Sequence, residues 1–183
     1  MGVFHPCWVR EKAIPEEFCD LIVKQSETFE WEEGQVGGYM PDPNYKNRNA
    51  NIAWLDHNHW LEGILINNGL YANRECAWDF QLDASEKVQF TQYGIGGYHD
   101  WHMDAALEEG SDFVRKISVV ALLSDPKDFE GGEFMLQHKM DKVIPLKKGS
   151  IICFPSFMWH SVTPLTSGKR YTAVSWINGK MFK

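Results

Sequence analysis

The chain has 183 residues, of which 44% are hydrophobic, so it is long enough to bury one core without disulfides or a partner subunit. Its net charge of −7 argues against nucleic acid as a partner, because binding to the phosphate backbone requires a clustered basic surface. There is no apolar run of membrane-spanning length and no CxxC pair among the four cysteines, so we expect a soluble, cytoplasmic protein with reduced thiols.

We interpret residues 1–77 as a helical lead-in. A helix is predicted over residues 15–29, since proline and acids suit a first turn and one stripe is apolar, made of Phe18, Leu21, Ile22 and Phe29. Residues 34–51 are rich in Gly, Pro, Asn and Tyr and are predicted to form a lid. Asp56 is predicted to cap a second helix, about 58–72, whose core-facing residues are Trp60, Leu61, Ile64 and Leu65.

From residue 78 onward the chain consists of short β-rich runs separated by turn signals. These runs cover residues 78–82, 88–93, 98–104, 117–123, 133–137, 142–145, 151–154 and 171–177. The run 117–123 is nearly all apolar, which predicts a central strand covered on both faces. We therefore predict one mainly β domain over 1–183, with a cupin-like jelly-roll core (a double-stranded β-helix) over 78–183 and N-terminal helices on one sheet.

The stretch "GGYHDWHMDA" contains a pair of metal-ligating residue types. In a strand, His102 and Asp104 project from the same face and are able to grip one ion. About 0.4 such HxD triplets are expected by chance in this composition, so a third ligand is needed. His160, after the apolar run "IICFPSFMW", is the best candidate. A rival HxH pair, His57 and His59, is more simply explained as a polar helix start.

The residues around this triad suit a 2-oxo acid. Two histidines and one carboxylate on one side of Fe(II) leave positions open for a bidentate 2-oxo acid and dioxygen. A distal carboxylate on that acid then needs a cation, and Arg170 lies ten residues after His160. Thr172 shares the face of Arg170 and could add a hydroxyl, and Tyr93 could add a phenol.

Four segments in order resemble the Fe(II)/2-oxoglutarate dioxygenases, and within them the prolyl-4-hydroxylase-like group found in bacteria and phages. The segments are "QYGIGGYHDWHMDA", "RKISVVALLSDPKDFEGGEF", "KGSIICFPSFMWHSVTP" and "GKRYTAVSWINGK". They span residues 92–180, and "NRNANIAWL" and "WDFQL" resemble the same family's lead-in less distinctively. The resemblance implies a bacterial or phage-infected host cell as the setting.

The resemblance also implies roles for individual residues. The metal and catalytic residues would be His102, Asp104 and His160, and the 2-oxoglutarate contacts would be Tyr93, Arg170 and Thr172. Trp176 matches a tryptophan of the substrate pocket. Relatives often carry tyrosine three residues before the first iron ligand, where this chain has His99, so that either Tyr98 or His99 faces the substrate.

The expected reaction is hydroxylation of a C–H bond, with dioxygen consumed and 2-oxoglutarate converted to succinate and CO2. Fe(II) and 2-oxoglutarate are the expected cofactors, with ascorbate as reductant. A peptidyl proline is the favoured substrate, since the predicted lid could close over an extended peptide. Two alternatives stay open: hydroxylation of a free amino acid or other small molecule, and a non-catalytic jelly-roll module that binds metal for structure.

Overall fold

The computed structural model describes residues 5–34, 47–105, 112–138 and 140–181. It contains two α-helices, α1 (Glu16–Gln25) and α2 (Trp60–Glu75). The strands within the described ranges are β1 (Trp8–Arg10), β2 (Glu32–Glu33), β3 (Arg48–Asn49), β4 (Asn51–Trp54), β5 (Ala84–Ser85), β6 (Gln89–Tyr93), β7 (Tyr98–His102), β8 (Phe113–Leu122), β9 (Phe129–Gly131), β10 (Phe134–His138), β11 (Met140–Val143), β12 (Ile151–Pro155), β13 (His160–Val162), β14 (Leu165–Gly168) and β15 (Arg170–Lys180).

Two antiparallel sheets face each other and form the jelly roll. The larger has the strand order β1-β12-β8-β15-β6-β4-β2, with β5 paired to β15, and the smaller has the order β11-β10-β13-β7-β3. A separate two-stranded sheet pairs β14 with β9. Strands that are distant in the chain therefore become neighbours across each sheet. The predicted double-stranded β-helix is confirmed.

The predicted central strand is also confirmed. β8 lies between β12 and β15, and residues 116–122 are all buried. Successive side chains of a strand point to opposite faces, and here Val119 joins the core cluster under the helices while Val120 joins the cluster between the two sheets. Apolar residues on the two faces of this strand therefore pack against the helices on one side and against the smaller sheet on the other.

Helix α2 packs directly on the larger sheet. A Cβ atom at Gly69 would lie 2.5 Å from Ile177 Cδ1 and 2.9 Å from Val119 Cγ2, so glycine allows the helix to approach β15 and β8 closely. Leu61 and Leu65 are fully buried beneath it. Helix α2 therefore supports β8 and β15 on the face of the larger sheet that is opposite the site.

The predicted helix faces need correction. Helix α1 spans Glu16–Gln25 rather than 15–29, and Ile22 is buried as predicted. Phe18 and Leu21 are exposed, and Cys19 is the other buried residue of the helix, because it packs with Ile22 and Ile14 in the core cluster. Helix α2 begins at Trp60 rather than 58, and Trp60 is exposed at this first turn instead of facing the core, whereas Leu61 and Leu65 are buried as predicted. His59 caps the helix in place of the predicted Asp56: His59 Nδ1 accepts a hydrogen bond from the Leu61 N–H at 3.3 Å.

The lead-in is less helical than expected. Residues 1–77 contribute β1, β2, β3 and β4 to the two sheets, and these strands are too short to give a period-2 pattern. The run 78–82 forms no strand; the short strand β5 (Ala84–Ser85) follows it and pairs with β15. Most of the predicted lid, residues 35–46, lies outside the described residues. Among the described helices, neither is both long and apolar enough to cross a membrane.

Candidate active site

Three side chains converge between the two sheets. His102 ends β7, Asp104 follows it by two residues, and His160 begins β13, the neighbouring strand. His102 and His160 are direct partners in the strand register. One ligand atom from each of the three residues lies within 4.8 Å of the other two. The structure thus brings together the three residues that the sequence analysis selected for a metal.

Backbone carbonyls fix the orientation of both imidazole rings. His102 Nδ1 lies 2.8 Å from the Asp100 carbonyl oxygen, and His160 Nδ1 lies 3.0 Å from the Met158 carbonyl oxygen. Since a carbonyl only accepts, each Nδ1 carries a proton, so that Nε2 is the nitrogen through which a neutral ring would bind a metal. The two Nε2 atoms lie 3.5 and 3.4 Å from the Asp104 carboxylate oxygens. This is the tautomer required of a metal-ligating histidine.

Burial keeps His160 ready to bind a cation. It lowers the pKa of His160 to about 4, against an opposing effect of Asp104, so the ring is neutral at physiological pH. Burial would by itself raise the pKa of Asp104, but the adjacent histidines and a hydrogen bond from Ser118 bring it well below its ordinary value. The site therefore offers a neutral nitrogen from His160 and an ionised carboxylate from Asp104.

A pair of buried serines holds the carboxylate in place. Ser118 Oγ, on β8 of the opposite sheet, donates to Asp104 Oδ2 at 2.6 Å and lies 2.9 Å from Ser156 Oγ. The Ser156 carbonyl accepts the backbone N–H groups of Asp104 and Ala105 at 2.9 and 3.0 Å. Although Asp104 lies beyond the end of β7, it is thus fixed by contacts to β8 and to the residue after β12.

Arg170 lies in the same cavity, on β15. Its side chain is 2% exposed, and no carboxylate within the described part of the chain pairs with it. Tyr93 on β6 is its direct strand partner, and the guanidinium carbon lies 5.4 Å from the tyrosine ring centroid. A Cβ atom at Gly132 would lie 2.9 Å from Arg170 Cδ, so this glycine makes room for the arginine stem. Because a buried charge without a partner is costly, this guanidinium is suited to bind an anionic ligand.

An irregularity in β7 places His99, and not Tyr98, among the residues that line the cavity. His102 pairs with His160, but Val162, two residues further along β13, pairs with His99, three residues back along β7. The extra residue is a β-bulge that turns His99 to the same face as His102. The two rings stack with centroids 3.6 Å apart. His99 therefore lines the cavity, and burial, assisted by His102 and Arg48, lowers its pKa.

Thr172 and Trp176 also line the cavity from β15. Arg115 stacks on Trp176, with its guanidinium carbon 3.8 Å from the ring centroid, and also pairs with Glu86. The stacked guanidinium of Arg115, itself fixed by Glu86, therefore holds the ring of Trp176 in place. The full cavity lining is Arg48, Gln89, Tyr93, His99, His102, Asp104, Val120, Phe134, His160, Val162, Arg170, Thr172, Val174 and Trp176.

Sequence reasoning missed two polar contributors. Ser118 was detectable as a hydroxyl inside an otherwise apolar strand that is covered on both faces. Arg48 lies in "NRNANIAWL", where nothing local marks it as buried. The rival histidines lie elsewhere: His57 contacts Glu62 at 3.1 Å, and His59 caps α2. Across the residues described, His102, Asp104 and His160 are the cluster with metal-ligand spacing.

Sequence comparison identifies a family. The sequence pattern of the 2OG-Fe(II) oxygenase superfamily matches residues 88–178, about half of the chain. A PKHD-type hydroxylase of Gloeothece citriformis is 38% identical over 90 residues, covering 48% of this chain and 40% of that protein. A PKHD-type hydroxylase of Colwellia psychrerythraea is 40% identical over 84 residues, covering 45% and 37%. The chain thus spans well under two thirds of the length of these relatives.

Solved structures extend the similarity to the whole fold. A viral collagen prolyl hydroxylase from Paramecium bursaria Chlorella virus-1, in complex with 2OG, matches with a TM-score of 0.74 at 19% identity, covering 97% of this chain and 99% of that one. A prolyl-4-hydroxylase from Pseudomonas putida matches with a TM-score of 0.71 at 15% identity, covering 97% and 94%. Together with the matched segment around the site, these findings show that the chain belongs to the 2OG-Fe(II) oxygenase superfamily and has the prolyl 4-hydroxylase-like fold.

Proposed function

We propose that this protein is an Fe(II)- and 2-oxoglutarate-dependent hydroxylase, with His102, Asp104 and His160 as the iron ligands. The observation that carries the proposal is the convergence of their ligand atoms within 4.8 Å, in a cavity that also holds the buried Arg170, which pairs with no carboxylate among the described residues. A module that binds metal only for structure has no use for the second feature.

The residues present fit Fe(II). Both Nε2 atoms and the carboxylate face one another, and three ligands on one side leave further coordination positions open. When bound, Fe(II) would supply the activation of dioxygen coupled to decarboxylation of 2-oxoglutarate. His160 stays neutral and Asp104 ionised at physiological pH, so neither ligand needs to lose a proton before the metal binds.

Arg170 would bind the distal carboxylate of 2-oxoglutarate. Its planar fork matches a carboxylate with two parallel hydrogen bonds, and burial removes competing water. Thr172 is on the same face of β15, two residues away, and Tyr93 is the strand partner of the arginine. These two hydroxyls would complete the anchor. The buried position of all three excludes solvent from that end of the cavity.

The substrate we propose first is a peptidyl proline. Its support is the similarity of fold to prolyl hydroxylases, including one from Trichoplax adhaerens in complex with a hypoxia inducible factor peptide, with a TM-score of 0.69 at 18% identity over 94% of this chain and 83% of that one. Trp176 and His99 would face the substrate. A free amino acid or other small molecule is the second candidate, favoured by the additional buried arginine at residue 48.

Ascorbate as reductant, a cytoplasmic location, and the absence of nucleic-acid and membrane partners remain expectations.

Succinate release tests this function. The protein is supplied with Fe(II), ascorbate and 2-oxoglutarate, together with proline-rich peptides, free proline or other amino acids, and products are screened for the mass of one added oxygen. We expect peptide-dependent succinate and a hydroxylated peptide. Turnover with free amino acids and none with peptides would transfer the proposal to the second substrate class.

Two variants separate the metal role from the co-substrate role. His102→Ala should abolish turnover and weaken Mn(II) binding, while Arg170→Ala should bind Mn(II) normally but raise the Kd of 2-oxoglutarate about tenfold to hundredfold. Arg74→Ala, at an exposed arginine at the end of α2, is the matched control and should change neither. An unchanged 2-oxoglutarate Kd in Arg170→Ala would refute the co-substrate assignment.

A further inference from the structure

A second buried arginine lines the cavity that holds the His102, Asp104 and His160 cluster. Arg48, on β3, is 8% exposed and is the direct strand partner of His99. Its Nη2 donates to Gln89 Oε1 at 2.8 Å and to Thr91 Oγ1 at 3.3 Å. Both acceptors are neutral, and no carboxylate in the described ranges forms an ion pair with the guanidinium. Among the residues that the structure describes, no carboxylate therefore compensates the charge of Arg48.

An uncompensated buried guanidinium is costly, and evolution rarely keeps one without a counterion. Arg48 also leaves its Nε without any acceptor, and Trp176 Nε1, on another lining residue, is likewise buried without a partner. Both of these groups are donors. A ligand that reached either group would therefore have to supply an acceptor atom.

The charges of the cavity lead to the same conclusion. Its lining carries the positive charges of Arg48 and Arg170 against the single carboxylate of Asp104. The two positive charges of bound Fe(II) and the two negative charges of 2-oxoglutarate would cancel each other. One positive charge remains, and Arg170 is already assigned to the co-substrate, so a singly negative substrate would complete the balance.

We propose that Arg48 binds a carboxylate of the substrate, so that the protein hydroxylates a carboxylic acid whose anion lies beside β3 while its target C–H faces the iron site. This inference rests on the function proposed above and specifies its substrate class. The planar fork of arginine holds a carboxylate in one orientation, which would position the neighbouring carbon. The neutral bonds to Gln89 and Thr91 fix the guanidinium before the substrate arrives.

The carboxylate has three possible sources: a free amino acid, the C-terminus of a peptide, or an acidic side chain next to the target residue. Matched probes distinguish them. The first set is free proline and prolinamide, the second is N-acetyl-Gly-Pro as the free acid and as the amide, and the third is a capped Pro-Asp peptide and its Pro-Asn counterpart. Each pair differs by one negative charge at similar size.

The Kd of each probe is measured without dioxygen on protein loaded with Mn(II) and 2-oxoglutarate. We expect at least one acid to bind about tenfold to hundredfold more tightly than its neutral partner, and we expect Arg48→Gln to remove that preference. Arg48→Lys keeps the charge without the fork and should restore part of the preference. Arg74→Gln, at the exposed arginine on α2, should leave the preference unchanged.

Three results would overturn the inference. An acid-to-amide ratio that is the same in Arg48→Gln and the original protein would show that Arg48 only bridges β3 and β6. A rise in the 2-oxoglutarate Kd in Arg48→Gln, with the ratio intact, would make the arginine a co-substrate anchor. Equal binding of acid and amide by the original protein in all three pairs would exclude a carboxylate subsite.

The proposed function fails in a different way. If the original protein bound neither Mn(II) nor 2-oxoglutarate, the hydroxylase proposal and this inference would both be wrong. If it bound both and released succinate, but showed no preference for acids, this inference alone would be wrong. Circular dichroism of Arg48→Gln and Arg48→Lys establishes that each variant is folded before the comparison.

Discussion

Replacing Ser118 with alanine tests whether contacts beyond the three ligands hold the metal site. The Ser118 side chain is 0% exposed, and its hydroxyl donates to Asp104 Oδ2 at 2.6 Å. Alanine removes this donor from a buried carboxylate while changing the volume by one oxygen atom. Ser156 Oγ, 2.9 Å from the lost hydroxyl, also loses its partner.

The magnitude follows from the charge on the acceptor. A hydrogen bond to a charged group contributes about 1.5 to 3 kcal/mol, more than one between neutral groups. Mutation of residues that orient metal ligands typically weakens metal affinity about 10- to 100-fold. Because the hydrogen bond from Ser118 also lowers the pKa of Asp104, its loss makes the carboxylate easier to protonate. We therefore expect the Kd of Mn(II) to rise by about one to two orders of magnitude.

Anaerobic titration calorimetry with Mn(II) measures this Kd directly. Ser175→Ala is the matched control, since Ser175 is equally buried on the neighbouring strand β15 but donates to the Glu86 carbonyl, away from Asp104. The control should bind Mn(II) as the original protein does. A folded Ser118→Ala variant with an unchanged Kd would refute the reasoning, because Asp104 would then be held without the serine.

The remaining predictions concern the support of the site. Gly69→Ala should lower the free energy of unfolding by about 1 to 3 kcal/mol in urea, because the new methyl group meets Ile177 and Val119; no loss would contradict the close packing of α2. Glu86→Gln should cost less than about 1 kcal/mol, since its pair with Arg115 is partly exposed, and a much larger loss in urea would contradict this. Mn(II) with 2-oxoglutarate at about 100 times Kd should add about 2.7 kcal/mol of stability, seen as a higher Tm that EDTA reverses. A Tm that changed neither on addition of Mn(II) and 2-oxoglutarate nor on addition of EDTA would contradict binding.

Several features were predictable because their signals are local. The run 117–123 is apolar at every position but one, and such a run is stable only when covered on both faces. His102 and Asp104 are two residues apart, and the segments that carry His160 and Arg170 follow recognisable apolar strands and turns. The jelly-roll fold and the selection of His102, Asp104, His160 and Arg170 as residues of one site followed from these patterns.

Other features depend on contacts between distant segments, so only the tertiary structure decided them. Strands of two to four residues such as β3 have no periodicity, and β3 exists because β7 supplies its hydrogen-bonding partner. The bulge in β7 exists only relative to β13, and it reverses the alternation that would have hidden His99. Arg48 became part of the cavity by reaching Gln89, 41 residues away in sequence. The sequence by itself determined which chemistry the site can support, because each candidate ligand stands in a short segment whose residue types and spacing can be recognised without the fold. The pairing of the strands decided which side chains surround that site, since a side chain's direction depends on its register with a partner that no local pattern records.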